Sequence, residues 1–159
     1  MLAHFDWTKM KYIQRIHRLL YAIGLGPLIG RIILLLTTTG RRSGKKRVTP
    51  LQYEEVNGDV YLGAARGLKA DWVRNIQADP QVEVRLKSRQ FCGTAEVVTD
   101  PSRIADFLEI RLERYPQMIG LMMEKVHHLP RHPSRSQLEE LAKTEALVVI
   151  RPVRIANEK

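Results

Sequence analysis

Residues 31–64 read RIILLLTTTGRRSGKKRVTPLQYEEVNGDVYLGA, and this stretch decides the fold. Its beginning, about 31–38, is a continuous apolar run that ends in three threonines. Such a run predicts a strand covered on both faces. Gly40-Arg41-Arg42-Ser43-Gly44-Lys45 forms a turn, and a second strand follows over about 46–55. Asn57-Gly58 is a strong two-residue hairpin signal, so residues 59–64 return as a third strand.

Downstream, residues 70–78 read as a short helix stopped before Pro80. Val82, Val84 and Leu86 alternate with Glu83, Arg85 and Lys87, a half-buried strand. A fifth strand spans about 90–98. Asp100-Pro101 starts a helix that runs to about Arg114, with an acceptor at the N-cap and proline at the first helical position. Residues 117–125 read as helical, Pro130 and Pro133 interrupt, Ser136 opens another short helix, and residues 146–153 form a last strand. About six strands result, the first five as a meander with one helical crossover and with helices outside. The expected class is α+β, mainly β: an antiparallel barrel in place of a parallel α/β sheet. No G-x-G-x-x-G follows a strand, so a Rossmann dinucleotide site has no support. With 159 residues the chain fits one domain, 1–159, carrying a helical insertion at 116–145 before the last strand.

Upstream, Tyr12, Ile16, Leu19, Leu20 and Ile23 fall at helical spacing among Lys9, Lys11, Arg15 and Arg18. Residues 8–23 are therefore a basic amphipathic helix. Docking on the body of the domain is the preferred reading, and peripheral membrane contact the alternative. The run over 19–36 is long enough to span a bilayer, but Gly24, Gly26, Pro27 and Gly30 break it and Arg31 lies within it, so no spanning helix is expected. Asp6, Lys9 and Lys11 interrupt any apolar leader. The single cysteine, Cys92, can form no internal disulfide and no zinc site alone, which makes a reducing cytoplasm the expected compartment.

The net charge of +9 favours an anionic partner: nucleic acid, anionic lipid or a phosphorylated small molecule. Its arrangement is most telling in Thr37-Thr38-Thr39-Gly40-Arg41-Arg42-Ser43-Gly44-Lys45-Lys46-Arg47, where five of the seven residues from Arg41 to Arg47 are basic. Glycines let a turn bring backbone N–H groups toward an anion, hydroxyls add donors, and arginine grips phosphate with two parallel bonds. The lysine after the second glycine is not followed by Ser or Thr, so this is no Walker A loop. A solvated basic hairpin is the plainest alternative. Nucleic acid ranks behind a small anionic ligand, because aromatics make up only 6% of the chain and none is interleaved with these bases for stacking.

These residues resemble a known family. Thr37-Thr38-Thr39-Gly40-Arg41-Arg42-Ser43-Gly44, then Arg47, then Pro50-Leu51, is similar to the signature of the deazaflavin (F420)-dependent nitroreductases of the split β-barrel flavin-binding superfamily. A second block, Ala64-Ala65-Arg66-Gly67 followed by Trp72, Asn75, Ala78 and Pro80, agrees with it. The match covers about residues 32–98 well. Arg66-Gly67-Leu68 replaces the family's usual Lys-Gly-Gly, Asp71 stands where proline is common before the tryptophan, and Val73 replaces the usual tyrosine.

The resemblance implies a split β-barrel and an oxidoreductase that passes a hydride from reduced F420 to a hydrophobic acceptor such as a quinone or nitro compound. It implies that Thr39, Gly40, Arg41, Arg42, Ser43, Gly44 and Arg47 hold the phosphate and acidic tail, with help from Lys45 and Lys46. Pro50, Leu51, Ala64, Ala65 and Arg66 would line the ring, and Asn75 would sit nearby. FMN, used by related split-barrel enzymes, is the alternative cofactor. A non-catalytic flavin or hydrophobic-ligand binding protein is the alternative function, and a homodimer stays open.

Trp72 and Asn75 share one face of the short helix, and Trp72 reads as core. His127, His128 and His132 have only Glu124 near them and read as loop residues, with no metal expected. Met118, Met122 and Met123 read as core. Tyr21, Tyr53 and Tyr115 are the candidate proton donors to a reduced acceptor.

Overall fold

The computed structural model describes residues 33–153. The helix expected at 8–23 and the proton-donor candidate Tyr21 lie outside them.

Seven strands form one sheet: β1 (Ile33–Thr39), β2 (Lys46–Gln52), β3 (Glu54–Val56), β4 (Asp59–Ala64), β5 (Gln81–Leu86), β6 (Arg89–Val98) and β7 (Ala146–Pro152). Their order is β2-β1-β5-β6-β7-β4-β3, and every pairing is antiparallel. The predicted second strand over 46–55 is in fact two, broken at Tyr53, and β2 and β3 lie at opposite edges of the sheet. The first five strands are therefore no meander. One residue spans at most about 7 Å between its neighbours' Cα atoms. A sheet whose two edges are joined by one residue has to curl until those edges meet, which makes it a barrel with a seam.

Period-two alternation sets the inside and outside. On β1, Leu34, Leu36 and Thr38 are buried, while Ile33, Leu35, Thr37 and Thr39 are half-buried. Leu34, Leu36, Leu62, Val82, Val84, Leu86, Val148 and Ile150 fill the barrel. Asn57 and Gly58 both take positive φ, 52° and 86°, the geometry that the tight β3–β4 hairpin requires.

Among the described residues, four α-helices flank the sheet: α1 (Asp71–Ala78), α2 (Pro101–Arg114), α3 (Pro116–Lys125) and α4 (Arg135–Ala142). Asp100 caps α2 as expected, accepting from the Ser102 N–H at 3.3 Å. The cap of α4 is Ser134 and not Ser136: its hydroxyl accepts from Gln137 N–H and the Gln137 side chain accepts from Ser134 N–H, a capping box. Helices α2, α3 and α4 cover the outer face of β7 with Ile104, Phe107, Ile119, Met123 and Leu138 against Leu147 and Val149. β7 is thus apolar on both faces, and Met118 and Met123 are core, as expected.

The link at Tyr53 is pinned by buried charge. The Glu54 carboxylate accepts from Arg114 Nη1 at 3.0 Å and faces Arg111 Nε at 3.8 Å. Arg111 Nη2 donates to the Gln52 side chain, and its guanidinium lies 5.7 Å from the Phe107 ring centroid. Both strand ends beside Tyr53 are therefore held by α2.

Candidate functional site

Among the described residues, the seam leaves strand edges without partners. β3 pairs only with Asp59, Val60 and Tyr61 of β4, so among the described residues the remainder of β4 has no strand neighbour on that side. β2, the opposite edge strand, faces it across a cavity of about 900 Å³. Val48, Thr49, Pro50 and Leu51 form one wall, and Gly63, Ala64, Ala65 and Arg66 form the other. The turn between β1 and β2 closes one end, and the first two turns of α1 form the back.

The turn is internally built. Gly40 N–H donates to the Lys45 carbonyl at 2.8 Å, Gly44 N–H donates to the Gly40 carbonyl at 2.8 Å, and Lys45 N–H donates to Ser43 Oγ at 3.2 Å. Asn75, 5% exposed, fastens it to the barrel. Its Nδ2 donates to Thr38 Oγ1 at 3.2 Å, and its Oδ1 accepts from the Arg41 N–H at 3.2 Å and from Arg41 Nη1 at 3.0 Å. Arg41 Nη2 donates to Asp71 Oδ1 at 3.0 Å, and this guanidinium holds the Asp71 carboxyl below the usual carboxylate range. Lys46 Nζ pairs with Glu83 at 3.1 Å. Arg42, Lys45, Arg47 and Arg66 are exposed and make no ion pair among the described residues.

The wall opposite rests on a close backbone contact. Gly67 has φ of +55°, and a Cβ there would stand 2.7 Å from the Thr144 carbonyl oxygen. Only glycine lets the loop after β4 settle onto the residues that lead into β7. Next to them, Glu145 is buried, and burial pushes its carboxyl up to about 7. His127 Nε2 lies 3.8 Å from it and is pulled below its ordinary value by burial first and then by Arg111.

Gly40, Arg41, Arg42, Ser43 and Arg47 of the predicted anion turn all line the cavity, as do Pro50, Leu51, Ala64, Ala65, Arg66 and Asn75. Thr39 and Gly44 do not. Thr39 forms the last β1–β2 pair, opposite Lys46, and Gly44 closes the turn. Arg41 lines the wall, but its guanidinium is turned to α1; Lys46 also lines it and pairs with Glu83, and Lys45 does not line it, so the cations left for an anion are Arg42, Arg47 and Arg66. Asp71 was missed: an acid beside a basic turn 30 residues away in sequence gives no local signal. Trp72, read as core, packs against the barrel interior and also lines the cavity. Tyr53 is buried in the edge-to-edge link with its hydroxyl pKa raised first by desolvation, and Tyr115 sits between α2 and α3. Neither lines the cavity. Among the described residues, no group of His, Cys, Asp or Glu is placed to hold a metal, and no helix is long and apolar enough to cross a membrane.

Comparison with known proteins adds four findings. The model of the F420H(2)-dependent quinone reductases matches residues 12–123. An F420H(2)-dependent quinone reductase of Mycobacterium tuberculosis is 35% identical over 96 residues, a match that covers 54% of this chain and 63% of that protein's length. Among solved structures, an F420-H2 dependent reductase, FDR-A, aligns with a TM-score of 0.51 at 26% identity, over 76% of this chain and 95% of that one. The haem storage protein HutZ of Vibrio cholerae, 16% identical with a TM-score of 0.53 over 79% of this chain and 84% of its own, shares the split-barrel fold alone.

Proposed function

The chain belongs to the F420H(2)-dependent quinone reductase family, and on that premise we propose that its seam cavity binds the deazaflavin coenzyme F420 and that the protein reduces a quinone-type acceptor. The observation that carries this reading is the composition of the cavity. The guanidinium-bearing residues Arg42 and Arg47, which make no ion pair among the described residues, stand at one end, and apolar strand edges form most of the rest of the wall.

The residues fit a long ligand that is anionic at one end and flat and apolar at the other. Arg42, Ser43 and Arg47 would hold the phosphoester, through charge and bidentate hydrogen bonding. Lys45, exposed beside them, would meet further carboxylates of the tail. Pro50, Leu51, Ala64 and Ala65 would take the ring. Among the described residues the β2 and β4 edges here have no strand partner, and their backbone groups would bond heteroatoms of the ring. Trp72 and Leu35 add apolar surface. When bound, the coenzyme supplies the hydride, and the protein supplies position, charge and exclusion of water. A protein proton donor is not part of this proposal, because neither Tyr53 nor Tyr115 lines the cavity. A cytoplasmic setting fits the lone cysteine.

The test is turnover. Reduced F420 is mixed anaerobically with the protein and a panel of quinones and nitroaromatic compounds, and coenzyme oxidation is followed by absorbance. The proposal expects oxidation that depends on both protein and quinone. Binding of the coenzyme without oxidation by any acceptor would make the protein a carrier, and the reductase reading would be lost.

A further inference from the structure

Arg41 lies at the middle of the basic turn, yet its guanidinium does not face outward. Nη2 donates to Asp71 Oδ1 at 3.0 Å, Nη1 to Asn75 Oδ1 at 3.0 Å, and Nη1 also approaches the Asp71 carbonyl at 3.5 Å. Asp71 and Asn75 are four residues apart on α1 and so share one face, which Arg41 spans with its planar fork. Asp71 is 80% exposed in its side chain and lines the cavity. An ion pair this exposed adds little to the stability of a fold. Its consequence lies in what it holds.

A carboxylate on the wall of an anion site carries the wrong charge, and two effects of it oppose each other. Its negative charge repels a bound phosphate, so by electrostatics alone its removal tightens anion binding. Its grip on Arg41 fixes the turn against α1, so its removal loosens the groups that contact the anion. We propose that the second effect wins, and that Asp71 is a positioning residue for coenzyme binding. It docks Arg41 on α1 so that Arg42, Ser43 and Arg47 are presented to the phosphoester in one arrangement. This inference rests on the coenzyme reading of the cavity.

The sign of one change decides it. Asp71→Asn removes the charge and keeps the shape. Fluorescence titration with F420 is expected to give a dissociation constant roughly two- to fivefold higher, the scale of an exposed ion pair. Asp71→Glu should recover most of the loss. In steady-state assays the KM for coenzyme should rise while kcat holds, because Asp71 acts on binding through Arg41. In an Arg41→Ala background the loss caused by Asp71→Asn should vanish, and binding should hold or tighten, because only the repulsion is then left to remove. An Asp71→Asn protein that binds F420 as well as wild type, or more tightly, overturns the proposal. So does a full additive loss in the Arg41→Ala background. Arg42→Ala/Arg47→Ala separates the two layers. If that variant binds F420 normally, the coenzyme reading itself fails. If it loses binding while Asp71→Asn does not, only the positioning role fails.

Discussion

The side-chain amide of Asn75 donates to the hydroxyl of Thr38 at 3.2 Å where both residues are buried, and this bond ties α1 to the barrel strand β1. The other end of the same amide receives Arg41. One side chain thus joins the barrel interior, the helix at the back of the cavity and the anion turn. Asn75→Ala leaves the Thr38 hydroxyl buried without its partner, at a cost of about 1–3 kcal/mol. The midpoint of urea denaturation should fall accordingly, and F420 affinity should fall with it, because the turn loses its anchor. An unchanged midpoint would show that this bond holds nothing.

The buried charges around Tyr53 make a second prediction. Arg111 faces Glu54 and bonds Gln52 on either side of the one-residue link, and Arg114 supplies the remaining contact to Glu54. Removing one partner of a buried pair leaves an uncompensated charge, so Arg111→Ala should cost about 3–5 kcal/mol. Arg114, whose side chain is 42% exposed, should cost clearly less when replaced by alanine. Denaturation of both variants tests the order. Equal losses would show that the buried position of Arg111 carries no special weight.

Much of this architecture is written in local patterns. The alternation in β1 and β5, the Asn57-Gly58 hairpin and the Asp100-Pro101 helix start each follow from the neighbours of a residue, and each lies where the pattern places it. The basic turn is legible as a candidate anion site from its own residues, whereas Ala64-Ala65-Arg66 enters only through the family resemblance, and both line the cavity. The jump from β2 to β3 is not. Residues 46–55 are uniformly strand-like, and what separates them is which edge each half joins, a matter of partners far along the chain. Glu54 and Glu55 look like solvated strand residues until Arg111 and Arg114, three apart on one helix face, are brought over Glu54. Asp71 is equally silent in sequence, because its meaning comes from Arg41.

Glu145 predicts a pH dependence of stability. Burial holds its carboxyl protonated up to about 7 in the folded protein, against 4.5 ordinarily. The unfolded chain releases this proton first as pH rises. The contribution of Glu145 to stability is therefore complete below about 4.5 and is lost as pH climbs to about 7, by something on the order of 3 kcal/mol. Glu145→Gln cannot ionise. Urea denaturation at intervals between pH 5 and pH 8 should show the variant gaining on wild type as pH rises. A difference independent of pH would contradict the assignment.

Fluorescence titration of F420 and of FMN, side by side, into the wild-type protein and into Arg42→Ala/Arg47→Ala tests the coenzyme site most directly. Charged hydrogen bonds are worth about 1.5–3 kcal/mol each, so losing two should weaken F420 binding by about a hundredfold or more. The account predicts saturable F420 binding to wild type, tighter than FMN, and that loss in the variant. Equal F420 affinity in the two proteins, or tighter binding of FMN, would contradict it.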